Sequence, residues 1–147
     1  MIATELEHDI DSRFSRNSFG YRPNRSAHDA VGQCRTSCMK YRWVIDLDIK
    51  GFFDNIGHGL LMKGLRYYTS RKHILLYCKR LLEAPVQLPD GTLKSSEGRG
   101  TPQGGVISPI LANIFLDIVF DKWMEKHYPD EAFERYADDT VVHCQHF

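Results

Sequence analysis

Tyr136-Ala137-Asp138-Asp139 stands between two short runs of β-forming residues, Phe133–Tyr136 and Thr140–Val142. The pattern predicts a tight hairpin with both acids at its tip. Adjacent carboxylates repel, and each raises the cost of ionising the other. A divalent cation removes that cost, and Mg²⁺ combines a few carboxylates with substrate phosphates. One further acid from elsewhere in the chain would complete a two-metal phosphoryl-transfer site. An isolated Asp-Asp pair is more often a solvated turn, so the surrounding sequence has to separate the two readings.

The nearest support is Arg42 to Lys50. Trp43, Ile45, Leu47 and Ile49 alternate with Val44, Asp46, Asp48 and Lys50, a period of two that predicts a strand. Its apolar face is expected on the core. Its other face presents Asp46 and Asp48 together, and the spacing does not say which of them would ligate a cation. Gly51-Phe52-Phe53-Asp54 follows directly.

Between these two acidic stretches the sequence predicts helices over about 59–69 and 71–83. A hairpin turning at Asp90-Gly91 comes next, then a loop from Ser95 to Gly105 with Gly100 and Gly104-Gly105, where backbone can approach a ligand closely. Ser108-Pro109 opens the longest helix, with a buried stripe of Leu111, Ile114, Phe115, Ile118, Val119 and Trp123 and a solvated side of Asn113, Asp117 and Asp121. Upstream, Ser26 caps a helix running to about Lys40, with Asp29 completing a capping box. Arg22 and Arg25, just ahead of it, make an anion-friendly corner. The whole predicts an α+β fold: a mainly antiparallel sheet with helices packed on one face.

Composition narrows the class. A chain of 147 residues, 42% apolar and 12% aromatic, is globular rather than disordered, and no stretch approaches a membrane span. Net charge is zero, but its distribution is uneven. Arg13 to Arg42 holds seven basic residues and one acid, and Lys63 to Arg80 holds six and none. Asn113 to Asp139 holds eight acids and three bases. Basic segments beside an acidic one suit a protein that handles polynucleotide phosphates and metal together. Cys34, Cys38, Cys78 and Cys144 form no zinc pattern and read as reduced thiols, with Cys34 and Cys38 on one buried helix face. His58 and His73 read as surface or packing residues.

Four blocks, in order, resemble group II intron reverse transcriptases: Phe19-Gly20-Tyr21-Arg22-Pro23-Asn24-Arg25-Ser26, Ile45 through Asp54, Gly100-Thr101-Pro102-Gln103-Gly104-Gly105-Val106-Ile107-Ser108-Pro109, and Tyr136-Ala137-Asp138-Asp139. The similarity runs from about Asp11 to the end. It implies a right-hand polymerase with fingers and palm represented, about 11–41 from the fingers and about 42–147 mainly palm. Upstream fingers, thumb and maturase regions are expected outside residues 1–147. The resemblance selects Asp48, Asp138 and Asp139 as the catalytic, metal-binding triad for two Mg²⁺ ions. It implies that Phe53 crowds the sugar 2′-position, that Gln103 and Gly104 pack beside the incoming nucleotide, and that Arg22 and Arg25 contact template or phosphate. The implied partners are an intron RNA template, a DNA primer and dNTP, in a bacterial cytoplasmic ribonucleoprotein. The span alone is expected to be inactive and to self-associate through a sheet edge left at Thr140–His143. The alternative is a non-catalytic remnant or RNA-binding module. Gly57, where an Asp is expected, and Thr140, where an aromatic is common, depart from the family pattern.

Overall fold

The computed structural model describes residues 2–102 and 105–146. In chain order its elements are α1 (Ile2–Ile10), α2 (Ala27–Cys38), β1 (Trp43–Leu47), α3 (Phe52–Asn55), α4 (His58–Tyr68), α5 (Lys72–Glu83), β2 (Val86–Gln87), β3 (Leu93–Lys94), α6 (Ser108–Leu116), α7 (Lys122–His127), β4 (Ala132–Tyr136) and β5 (Asp139–Cys144). They form two compact units. One comprises Met1–Ile10 with Gly51–Phe115, the other Asp11–Lys50 with Leu116–Phe147.

The first unit is largely helical. Leu61 and Leu65 of α4 and Ile74 and Leu82 of α5 are buried, as are Leu6 and Ile10 of α1. In α4 and α5 the burial follows the helical spacing, whereas α1 is a helix that the polar, acidic start of the chain does not announce. Arg71 ties α1 to the start of α5 through Glu5 and Asp9. The β2–β3 hairpin turns where expected: Gly91 has φ +85°, and the Asp90 carboxylate accepts from the Thr92 amide and hydroxyl. His58 is a packing residue, its ring 2.6 Å from the Gly100 carbonyl. Gly57 precedes α4 without a side-chain cap, and a Cβ there would meet nothing within 4 Å. The missing Asp therefore removes a cap but opens no clash.

The second unit holds a three-stranded antiparallel sheet in the order β1-β5-β4. Leu47 pairs with Thr140, Phe133 with Val142, and Tyr136 with Asp139. Because β5 is the central strand, Thr140–His143 is not an edge; β1 and β4 are, and the expected edge is corrected accordingly. The α+β class holds, with one change of detail. Phe133 and Val142 share one face and pack with Met124 and Phe120. Glu134, on the opposite face by alternation, accepts from Ser37 of α2 at 2.7 Å. Helices thus cover both faces, and the buried Glu134–His143 pair on the second face is answered within itself and by Ser37 of α2.

Two expectations fail here. The apolar residues of β1 are not on the core: Trp43, Ile45 and Leu47 stay exposed, as do their neighbours. The helices that cover β4 and β5 do not extend over this edge strand. Asn113, Asp117 and Asp121 are buried rather than solvated, whereas Val119 and Trp123 are exposed. Asn113 is buried because α6 is enclosed on all sides over 111–114, and a π-helical turn over Asp117–Asp121 accounts for the exchange beyond it. One extra residue in a helical turn rotates everything beyond it, so the inward stripe passes to Phe120, Asp121 and Met124. Ser26 and Asp29 form the predicted capping box at α2.

Candidate active site

The acidic tip is a two-residue hairpin loop, Ala137-Asp138, closed by the Tyr136–Asp139 pair. Ala137 has φ +58°, a left-handed conformation that costs a non-glycine residue about 1 kcal/mol. The surrounding structure over-determines it. The Arg135 guanidinium donates to the Ala137 carbonyl at 2.8 Å, to the Ser18 hydroxyl at 2.9 Å, and to both oxygens of Asp121 at 2.6 and 2.7 Å. Arg135 and Asp121 are fully buried. Burial raises the Asp121 carboxyl, and the bidentate guanidinium acts against that rise.

The loop before α2 completes the clamp. Phe19 donates its amide to the Arg135 carbonyl and Arg135 donates to the Asn17 carbonyl, both at 2.8 Å, so this loop runs as a short parallel bridge along β4. Gly20 lies against the hairpin itself: a Cβ there would sit 2.4 Å from the Ala137 nitrogen and 3.0 Å from the Tyr136 carbonyl carbon. Only hydrogen fits. Sequence reading treated this block as a phosphate-binding corner and missed its bracing role; the only sequence signal was Gly20 itself, a position that lets backbone approach closely.

Asp48 follows the last residue of β1, whose Leu47 pairs with Thr140. Continuing that register sets Asp48 opposite Asp139 and on the same face. Burial, then the charges of Asp138, Asp48 and Asp46, hold the Asp139 carboxyl above its ordinary value. Four carboxylates from two strands therefore share one electrostatic site, although among the described residues their oxygens do not close to within 4.8 Å as a trio. A hard-oxygen set of this kind fits Mg²⁺, which takes carboxylates, water and phosphate oxygens. Tyr136 and Tyr21, both exposed, flank the tip with ring centroids 6.4 Å apart.

The arginines face another way. Arg22 is buried, and its guanidinium donates to the carbonyls of Ser15, Ser18 and Asp11 and to the Asp11 carboxylate. Those bonds brace the loop. Arg25 reaches the Arg16 and Ser18 carbonyls and stacks over Phe19 at 5.1 Å, and it is only half-buried. Phe53 belongs to the other unit, half-buried and edge-on to the buried Phe52 with ring centroids 5.4 Å apart. There the Gly-rich loop is stitched to the Phe53 segment: Thr101 donates to the Phe53 carbonyl at 2.8 Å and Gly100 to that of Ile56 at 2.9 Å. Gly100, at φ +83°, admits no more than a tight Cβ, 3.1 Å from the Asp54 carbonyl oxygen. A groove in this unit runs past Asp54, Lys94, Arg99 and Pro102. Gln103 and Gly104 lie outside the described residues.

Two acids stand at the tip of a two-residue hairpin loop, and the strand paired with that hairpin leads directly into a third. The chain matches the family model for "Reverse transcriptase (RNA-dependent DNA polymerase)" over residues 1–146 and belongs to that family. It is related to group II intron-encoded proteins. Protein YkfC of Escherichia coli (strain K12) is 36% identical over 123 residues, covering 80% of this chain and 32% of that protein. Group II intron-encoded protein LtrA of Lactococcus lactis subsp. cremoris is 37% identical over 117 residues, covering 76% and 18%. The chain thus spans about a third or less of these relatives' length. Among solved structures, apo telomerase from Candida tropicalis, truncated from its C-terminal domain, superposes with a TM-score of 0.73 at 16% identity, covering 99% of this chain and 34% of that one. That likeness concerns the fold.

Two outcomes follow. Gly20→Ala should destabilise the protein by about 1–3 kcal/mol through overpacking. Gly32→Ala, inside α2 with nothing within 4 Å of its Cβ, should stabilise it by about 0.5–1 kcal/mol; chemical denaturation of both variants reads the contrast, and equal effects would refute the clamp. The second concerns Asp139. An acid whose pKa is higher folded than unfolded favours folding at low pH and opposes it once pH passes through the interval between the two values. Asp139→Asn should therefore raise the melting temperature at neutral pH in metal-free buffer and give no gain below the ordinary carboxylate range. An unchanged melting temperature at neutral pH would count against the crowded-carboxylate site.

Proposed function

We propose that this chain is the fingers-and-palm core of an RNA-directed DNA polymerase of the group II intron type, which adds dNTPs to a primer 3′-hydroxyl on an RNA template. What supports the reading is the β1–β5 register, which continued by one residue sets Asp48 opposite Asp139 and beside Asp138, with the Asp139 carboxyl raised by desolvation and its acidic neighbours. Crowded anions at a fixed tip are costly by themselves and become useful when a divalent cation sits among them. Asp48, Asp138 and Asp139 would hold two Mg²⁺ ions. Bound there, the ions supply the charge that activates the primer hydroxyl and neutralises the departing pyrophosphate.

The remaining roles belong to the chain's own side chains. Phe53 stands as the ring that excludes a ribose 2′-hydroxyl, Gln103 and Gly104 as the loop beside the incoming nucleotide, and Arg25 as the more available of the two arginines for template phosphate. Arg22 acts first by holding the loop that braces the hairpin. The setting proposed for it is a cytoplasmic ribonucleoprotein in a bacterium; no helix among the described residues is long and apolar enough to cross a membrane. The residues 1–147 alone would bind metal and nucleic acid weakly and would not extend a primer, because phosphoryl transfer demands positioning that a third of a relative's length does not supply unaided.

Primer extension on an RNA template tests the reading, using a protein that carries this span with the flanking regions of its relatives. Asp138→Asn should cut dNTP incorporation on the order of 10²-fold or more while RNA binding persists. Retained incorporation would reject the triad; RNA binding without incorporation by the unmutated protein would favour the non-catalytic RNA-binding reading. In the same assay Phe53→Val should raise ribonucleotide use relative to deoxynucleotide about ten-fold, since a void replaces the blocking ring. An unchanged ratio would make Phe53 a packing aromatic like Phe52.

A further inference from the structure

The unit that carries the acidic tip holds a second constellation of a different chemical kind. Cys34 and Cys38 lie one turn apart on α2, and His143 projects from the central strand β5 on the face that α2 covers. Both sulfurs and one imidazole nitrogen lie within 4.8 Å of one another. His143 is fully buried. Its Nε2 lies 2.7 Å from the Glu134 carboxylate, whose other oxygen accepts from Ser37, while its Nδ1 has no hydrogen-bond partner.

That arrangement is incomplete as a hydrogen-bond network and nearly complete as a metal site. A carboxylate only accepts, so Nε2–H donates to Glu134, and the neutral ring presents the Nδ1 lone pair. Metal-binding histidines are set up in this way, with a carboxylate fixing the tautomer through the other nitrogen. Residues four apart on a helix present two ligands to one cation, as in other helix-borne sites. With bonds of about 2.3 Å to sulfur and about 2.0–2.1 Å to nitrogen, a tetrahedral ion needs ligand atoms roughly 3.5–3.8 Å apart, and these three lie within 4.8 Å of one another. Cys38 is exposed, which gives an ion a way in.

We propose that Cys34, Cys38 and His143 bind a thiolate-preferring divalent cation, Zn²⁺ foremost, with Glu134 orienting His143 and a fourth position left to water. Two thiolates and an imidazole select a soft or borderline ion and discriminate against Mg²⁺, so this site and the acidic tip would take different metals. The ion would pin α2 to β5, the strand whose other end carries Asp139. Cys34 and Cys38 by themselves supply only two ligands at a common helical spacing; the fold brings in the third.

Cobalt titration of the reduced, metal-stripped 147-residue chain tests this. Co²⁺ should bind one-to-one with a sulfur-to-cobalt charge-transfer absorption, be displaced by Zn²⁺, and be indifferent to excess Mg²⁺. Cys38→Ser, at an exposed position that should leave the fold intact by circular dichroism, should weaken that absorption and lower Co²⁺ affinity at least ten-fold. Glu134→Gln should lower affinity about 10- to 100-fold. Absence of a thiolate charge-transfer band in the unmutated chain, or a band and affinity unchanged in folded Cys38→Ser, would overturn the proposal.

Discussion

The guanidinium of Arg135 is the contact on which the acidic hairpin depends. It is fully buried and spends its donors on Asp121 in the π-helical turn, on the Ser18 hydroxyl in the bracing loop, and on the carbonyl of Ala137 at the hairpin tip. One side chain therefore joins helix, loop and hairpin. Removing one partner of a buried ion pair typically costs about 3–5 kcal/mol, because the other charge is left without compensation. The π-helical turn is part of the same device: the extra residue in the turn brings Asp121 inward to meet Arg135.

The tip needs this support because nothing about it is comfortable. A non-glycine residue sits at positive φ, two acids follow one another, and two more come from β1 and the residue after it. Strain and repulsion of this sort persist only where the surroundings over-determine the conformation. Here the surroundings are polar and specific rather than merely apolar. Arg135 satisfies the Ala137 carbonyl, Gly20 lets the loop backbone reach the tip, and Arg22 ties that loop to Asp11, Ser15 and Ser18.

The hairpin, the strand before Asp48, the capping box at Ser26 and the paired helices were legible because each rests on local rules of period, cap and turn. What was not legible required long-range information. The slip of the helical stripe at Asp117–Asp121 depends on a π turn that no residue pattern announces, and Asp117 and Asp121 look like solvated acids until Ser15 and Arg135 are placed beside them. The two arginines ahead of α2 looked like phosphate ligands, yet Arg22 is answered by three carbonyls and a carboxylate. Sequence assigned the acids to the site by resemblance; the register of β1 on β5 gives the physical reason why Asp48, rather than Asp46, is the one set opposite Asp139.

That register has a further consequence, because the acids of the site are not held alike. Asp138 and Asp139 sit on a hairpin fastened by Arg135 and by the loop through Gly20. Asp48 follows an edge strand with both faces exposed, whose five residues are positioned by their ladder with β5. Side-chain packing therefore contributes little to where Asp48 stands, and backbone hydrogen bonds contribute most. A cation shared between Asp48 and the tip would complete that attachment, cross-linking β1 to β5 at the end where packing does least. In this architecture the chemistry of the site and the fastening of its edge strand would be one interaction, with a rigid half supplied by Arg135 and an adjustable half supplied by the ladder.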